Sequence, residues 1–214
     1  MFKNNLKNYN SKIAKEIKRK FNCKPVSINL IFEDDELRGE IHPLPKICIA
    51  IIKAQNSDFI LPVSSLTCPV ARYVLGSEEK NKVIKILYEK GLVASKKAAK
   101  KLVSKISCFK GNLFGIRLSP LEKAKANPDV VVFVTTPKTA MLIAQTLAYN
   151  GNIVNAEFNG ITASCSEIIA IPVKYGKPNF SLGCRGSRNV LNDDEVLFAI
   201  PGNLIHILTD VEVV

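Results

Sequence analysis

Apolar residues recur at helical spacing from Leu6 to Phe21, and the apolar positions then alternate from Pro25 to Phe32. The change of period predicts a helix followed by a half-buried strand. Lysines interrupted by Ala98, Ala99, Leu102, Val103 and Ile106 predict a second amphipathic helix, with Ser95 as its N-cap. A third helix is expected over Thr139 to Tyr149, with Pro137 at a permitted early position after Thr135 and Thr136. Short apolar runs bounded by turn residues predict strands at Val26–Phe32, Phe59–Pro62, Leu113–Leu118, Val130–Val134, Ile153–Phe158, Asn179–Leu182 and Val196–Ile200. Strands interleaved with helices point to an α/β (or α+β) protein.

The order of elements repeats. A helix exit at Phe21-Asn22 is matched by Tyr149-Asn150, and Val26 by Val154. Cys48, Ile51 and Ile52 then lie over Cys165, Ile168 and Ile169, if the polar stretch from Glu33 to His42 is an insertion. SLTCPVARYVLGSEE, residues 65–79, lies over SLGCRGSRNVLNDDE, residues 181–195, with seven of fifteen positions identical. Three matches in the same order predict an internal duplication, with two pseudo-repeats packed around a shared interface. The expected halves are 1–108, carrying a basic N-terminal helix, and 109–214, together forming one compact unit of 214 residues.

Cysteine usage gives the duplication a chemical meaning. Of Cys23, Cys48, Cys68, Cys108, Cys165 and Cys184, four fall at equivalent places in the repeats: Cys48 with Cys165, and Cys68 with Cys184. A pseudo-twofold would bring these four thiols together. Four thiolates suit an iron–sulfur cluster, or less readily a zinc ion, which usually draws on close ligand pairs. Buried cysteines also occur as small apolar core residues, the plain alternative for the quartet. Arg72 and Arg188 each follow a repeat cysteine by four positions, one helical turn on. With Gly183 and Gly186 flanking Cys184, they form a candidate site for a small anionic ligand. The other reading pairs the arginines with Glu79 and Glu195. Three residues between cysteine and arginine are too few for a phosphatase-type cradle.

Charge and length restrict the remaining classes. Lys plus Arg number 30 against 19 Asp plus Glu, a net charge of +11, and 17 of those cations lie in Lys3–Lys24 and Lys80–Lys105. Such helices could contact RNA or an acidic partner, although no RNP motif, zinc finger or helix-turn-helix pattern supports nucleic acid. This leaves a structural or interaction protein with buried thiols as the competing class. No apolar run approaches the ~18 residues that span a bilayer. The N-terminus lacks an apolar signal region, so a cytoplasmic location is expected. His42 and His206 belong to no triad or metalloprotease motif, and nucleotide-binding glycine motifs are missing, so no reaction is assigned.

The stretches KPVSINL, LTCPVARYVLG, NPDVVVFVTTPKTAMLIAQTLAYNG, CSEIIAIP, GCRGSRNVLNDDE and FAIPG together resemble the ArCR family of archaeal and bacterial proteins, a domain of unknown function. The resemblance runs from about Lys24 onward. It implies cysteines at positions 48, 68, 165 and 184, the quartet that the duplication selects, and it implies no reaction. Two positions depart from the family pattern. Cys68-Pro69-Val70-Ala71 stands where a glycine-rich Cys-Pro segment is usual, and Ser187 stands where an acidic or polar residue commonly precedes the arginine.

Overall fold

The structure is a computed structural model describing residues 2–34, 37–111 and 113–210. Its framework is one antiparallel sheet of six strands. In chain order the elements are α1 (Phe2–Phe21), β1 (Val26–Ile31), α2 (Ile47–Ala54), β2 (Phe59–Pro62), α3 (Pro69–Val74), α4 (Lys80–Glu89), α5 (Lys96–Val103) and β3 (Gly115–Pro120). Then follow β4 (Val130–Thr135), α6 (Pro137–Tyr149), a π-helix (Ser166–Ala170) running into α7 (Ile171–Tyr175), β5 (Asn179–Ser181), β6 (Val196–Pro201) and α8 (Ile207–Asp210).

The sheet order, β2-β3-β1-β4-β6-β5, reads the same outward from its centre on both sides. On each side an inner strand, β1 or β4, pairs with β3 or β6, which in turn pairs with a short edge strand, β2 or β5. The registers also correspond: Val26 faces Pro120 and Val130 faces Pro201, and each proline leads into a single 3-10 turn. Each edge strand additionally takes one isolated parallel bridge, Ile41 to Ile60 and Asn155 to Asn179.

Alternation along the strands divides the core in two. One face presents Ile28, Leu30, Phe59, Leu61, Ile116, Leu118, Val132 and Leu197 to α2, α3, α4, α5 and the π-helix. The other presents Val131, Phe133, Phe198 and Ile200 to α1, α6 and α8. Buried side chains of this size each stabilise the fold by about 1.5–3 kcal/mol. α1 is fixed at its middle by Asn10, whose Nδ2 donates to the carbonyls of Ala124 and Ala126. The Ser95 cap forms as expected, its hydroxyl accepting from Ala98 N at 3.1 Å.

One expected strand is absent. Ile153–Phe158 is irregular apart from the Asn155 bridge. Asn179 explains it: its side chain accepts from Glu157 N and donates to Glu157 O, both at 3.0 Å, supplying the partners that a neighbouring strand would offer. Ile153 and Phe158 consequently stay exposed. Residue 108 falls between α5 and β3, and β3 pairs with both strands that precede it.

Candidate cysteine-lined site

Four chain segments bring Cys48, Cys68, Cys165 and Cys184 to the wall of one depression of about 390 Å³ on the α2/α3/α4 side of the sheet. Each cysteine stands at the start of a helical turn. Cys48 is the second residue of α2, and Cys165 is the second residue of the helical stretch that opens at Ser164. Cys68 and Cys184 precede their turns and accept the first main-chain bonds, from Arg72 N at 3.1 Å and Arg188 N at 2.9 Å. Pro69 occupies the first position of α3, where no amide hydrogen is needed. The pairs that match in sequence therefore also match in local geometry.

The other two cysteines lie elsewhere. Cys23 lines a cleft beside Ala14 and Lys18 of α1, and Cys108 packs on Tyr73, whose phenol burial and that contact push up to about 12.

Electrostatically the four thiols are unequal. Burial pushes the Cys48 thiol up to about 11, with further upward contributions from Cys184 and Cys68. Cys165, 8% exposed, is raised further by burial, then by Cys68, Cys184 and Cys48. These mutual effects follow from four groups that would repel one another as anions. At Cys184 burial also acts upward, but hydrogen bonds from Ser164 and Ser187 outweigh it and leave the thiol below its ordinary value. Ser164 Oγ donates to Cys184 Sγ at 3.3 Å, and Ser187 Oγ approaches the same sulfur at 3.5 Å.

The backbone here is strained or irregular. Ala163 adopts φ +75°, a left-handed conformation that costs a non-glycine residue about 1–2 kcal/mol. The π-helix begins just beyond it, and π-turns recur at functional sites. Glu167 on that π-helix is 1% exposed; its carboxylate accepts from Asn159 N at 2.6 Å and from Ser181 Oγ. Burial raises its pKa above the ordinary carboxylate value. Ser181 Oγ in turn accepts from Gly183 N at 3.0 Å, so Glu167 holds the strand end that leads into Cys184. Gly183 has φ +88°, and a Cβ there would meet Ser187 Oγ at 2.8 Å.

Among the described residues three cations, Lys46, Lys90 and Arg185, line the depression, and no aspartate or glutamate does. Gly186 is also part of the wall. Arg72, Arg188 and Gly183 are not. Arg72 faces Glu78 at 4.0 Å and donates to Ser77 O at 3.4 Å, while Arg188 donates to Glu195 O at 2.7 Å and Asn192 O at 3.4 Å. Both arginines thus close the loops after their helical turns, one meeting Glu78 in place of Glu79 and the other the main chain of Glu195. Lys46 and Lys90 escaped the sequence reading because they come from separate segments with no motif to connect them. Among the described residues, no three or more His, Cys, Asp or Glu side chains are placed to hold a metal ion. No helix among them is long and apolar enough to cross a membrane.

Comparison with known proteins agrees with the resemblance seen in the sequence. The family described as Uncharacterised ArCR matches residues 16–210, and the chain belongs to it. An uncharacterized protein of Methanocaldococcus jannaschii, MJ0308, is 31% identical over 120 residues, covering 55% of this chain and 52% of the relative. The chain spans about half the length of that curated relative. No solved structure matches it.

Proposed function

We propose that this member of the ArCR family holds an iron–sulfur cluster in the depression between its two halves, with Cys48, Cys68, Cys165 and Cys184 as ligands. The observation that carries the reading is the lining itself: among the described residues, four thiols from four segments, three cations and no carboxylate. Burial first, and then the neighbouring cysteines, push the Cys48 and Cys165 thiols up, the second effect because thiolates close together repel one another. Bound iron would take the place of the thiol protons, and Lys46, Lys90 and Arg185 would offset the remaining negative charge. Cys184, already favoured as thiolate by Ser164 and Ser187, is the natural first ligand.

Four ligands from four separate segments suit a cluster better than a single zinc ion, which usually draws on close ligand pairs. The cluster would supply one-electron chemistry; the protein contributes its hydrogen bonds, cations and partial burial, which set the potential.

The repeat geometry supports a duplicated origin for the site. The equal strand order outward from the sheet centre, the paired prolines and the matching positions of the cysteines are what two copies of one unit would leave. If no cluster forms, the same cations, with the main chain around Gly186, make a site for a small anion, the second reading.

The test is composition. Anaerobically purified and reconstituted protein should carry iron and acid-labile sulfide in equal, stoichiometric amounts, lost in a Cys68→Ser/Cys184→Ser variant. Zinc in place of iron, or no metal in either protein, would overturn the cluster reading.

A further inference from the structure

We propose that a second cleft, on the sheet face away from the cysteine depression, binds a sugar phosphate. The proposal is independent of the cluster reading. The cleft has a volume of about 1070 Å³, far more than a single ion fills. Its wall comes from β1, the loop that follows β1, the residues just before β2, and β3 with its connection to β4.

The strand registers show why the cleft is there. Across β1 and β3, Ser27 faces Ser119 and Asn29 faces Arg117. At the corresponding places on the other side of the sheet Val131 faces Ile200 and Phe133 faces Phe198, all packed into the core under α1, α6 and α8. One side of this face is therefore an apolar core and the other a polar layer, of which Asn29, Arg117 and Ser119 line the cleft. Ser27 Oγ is buried with no hydrogen-bond partner among the described residues, so the polar layer costs stability. A face built for packing alone would repeat the apolar pairs.

The charges select the ligand. Arg117 is held in place: its Nη2 donates to Arg38 O at 2.6 Å, its Nη1 lies 3.8 Å from Asp58 Oδ1, and a Cβ on Gly39 would come within 3.2 Å of Nη1. A guanidinium fixed in a wall suits bidentate contact with a phosphate. Lys123 and Lys125 of the same lining are exposed and in no ion pair among the described residues. The three lining carboxylates are already engaged, Glu40 by His42, Asp58 by Arg117 and Asp129 by Leu30 N at 2.7 Å. An ammonium ligand would have to compete with these contacts, whereas an anion meets lysines that are unpaired. Ser57, Ser119 and the amide of Asn29 supply donors and acceptors for hydroxyl groups. No aromatic residue lies among the described lining residues to stack a nucleobase, which favours a sugar phosphate over a nucleotide.

The experiment is isothermal titration calorimetry of the purified full chain with the monophosphates of ribose, glucose and fructose. Inorganic phosphate, the unphosphorylated sugars and adenosine monophosphate are titrated alongside. At least one sugar phosphate should bind about tenfold or more tighter than inorganic phosphate and than its own sugar. Lys123→Ala/Lys125→Ala, at two exposed positions that leave the fold intact, should weaken that binding about tenfold or more. Arg117→Lys, which keeps the charge and loses the fork, should weaken it by a similar factor. Lys97→Ala/Lys100→Ala, on α5 across the sheet, should change it less than about twofold. No binding of any of the three at about 5 mM would overturn the proposal. So would inorganic phosphate or adenosine monophosphate binding as tightly as every sugar phosphate, or equal losses in the two lysine-pair variants. The cleft and the cysteines lie on opposite faces of the sheet, so either result is read without regard to whether the chain carries iron.

Discussion

Replacing Ser164 with alanine removes one hydroxyl from the cysteine depression and little else. Ser164 is 4% exposed, and its hydroxyl donates to Cys184 Sγ at 3.3 Å. A hydrogen bond to a charged acceptor contributes about 1.5–3 kcal/mol, and the larger, softer sulfur puts this one near the lower end. Each 1.36 kcal/mol favouring thiolate over thiol is one pKa unit, so the thiolate fraction of Cys184 at fixed pH should fall about tenfold. The readout is iodoacetamide alkylation of metal-free protein across a pH series, with each cysteine followed by peptide mass spectrometry. In the parent protein Cys184 should react ahead of Cys48 and Cys165, whose thiols burial pushes up. In Ser164→Ala its profile should move to higher pH and its rate at neutral pH should drop about tenfold. An unmoved profile, or a Cys184 no more reactive than Cys48, would refute the reasoning that hydroxyl donors overcome burial at this sulfur.

Other outcomes follow from the same geometry. Gly76 has φ +79° and a Cβ there would lie 2.0 Å from Gly111 O, so Gly76→Ala should cost about 3 kcal/mol or more in urea unfolding, and a loss under about 1 kcal/mol would contradict it. Glu167 has a raised pKa in the folded state, so its protonated form contributes stability at acid pH that is lost as pH rises through the folded value. Unfolding of Glu167→Gln should therefore gain on the parent as pH rises from acid toward neutral; a constant difference would mean that the burial effect is absent. Ser95→Ala, losing only the α5 cap, should cost about 1 kcal/mol by the same unfolding assay and leave Cys184 reactivity unchanged.

Much of the fold could be read from the chain because its strands are short apolar runs with clear ends. β2, β4 and β6 begin at the expected residues, while β3 starts two residues later than expected. Ile153–Phe158 misled because its alternation is real but its backbone partner is a side chain, Asn179, which no periodicity reveals. The four cysteines were identified by repetition, a signal carried by the order of residues along the chain. The arginines were misleading for a local reason: an i+4 spacing fixes one turn of rise but not the direction of a long side chain. Arg72 and Arg188 go instead to the carbonyls of Ser77, Asn192 and Glu195 in the loops that follow their turns. Lys90 meets the site only through tertiary packing, and although Lys46, Ser164 and Glu167 lie within two residues of Cys48 or Cys165, the contacts that Ser164 and Glu167 make with the Cys184 loop come from packing of the π-helix segment against β5.

Diffraction from anaerobically grown crystals, recorded on both sides of the iron absorption edge, tests the cluster most directly. The account predicts one compact anomalous iron peak bounded by the sulfurs of Cys48, Cys68, Cys165 and Cys184, with Lys46, Lys90 and Arg185 around it. A depression without iron in reconstituted protein, or iron bound elsewhere on the chain, would contradict it.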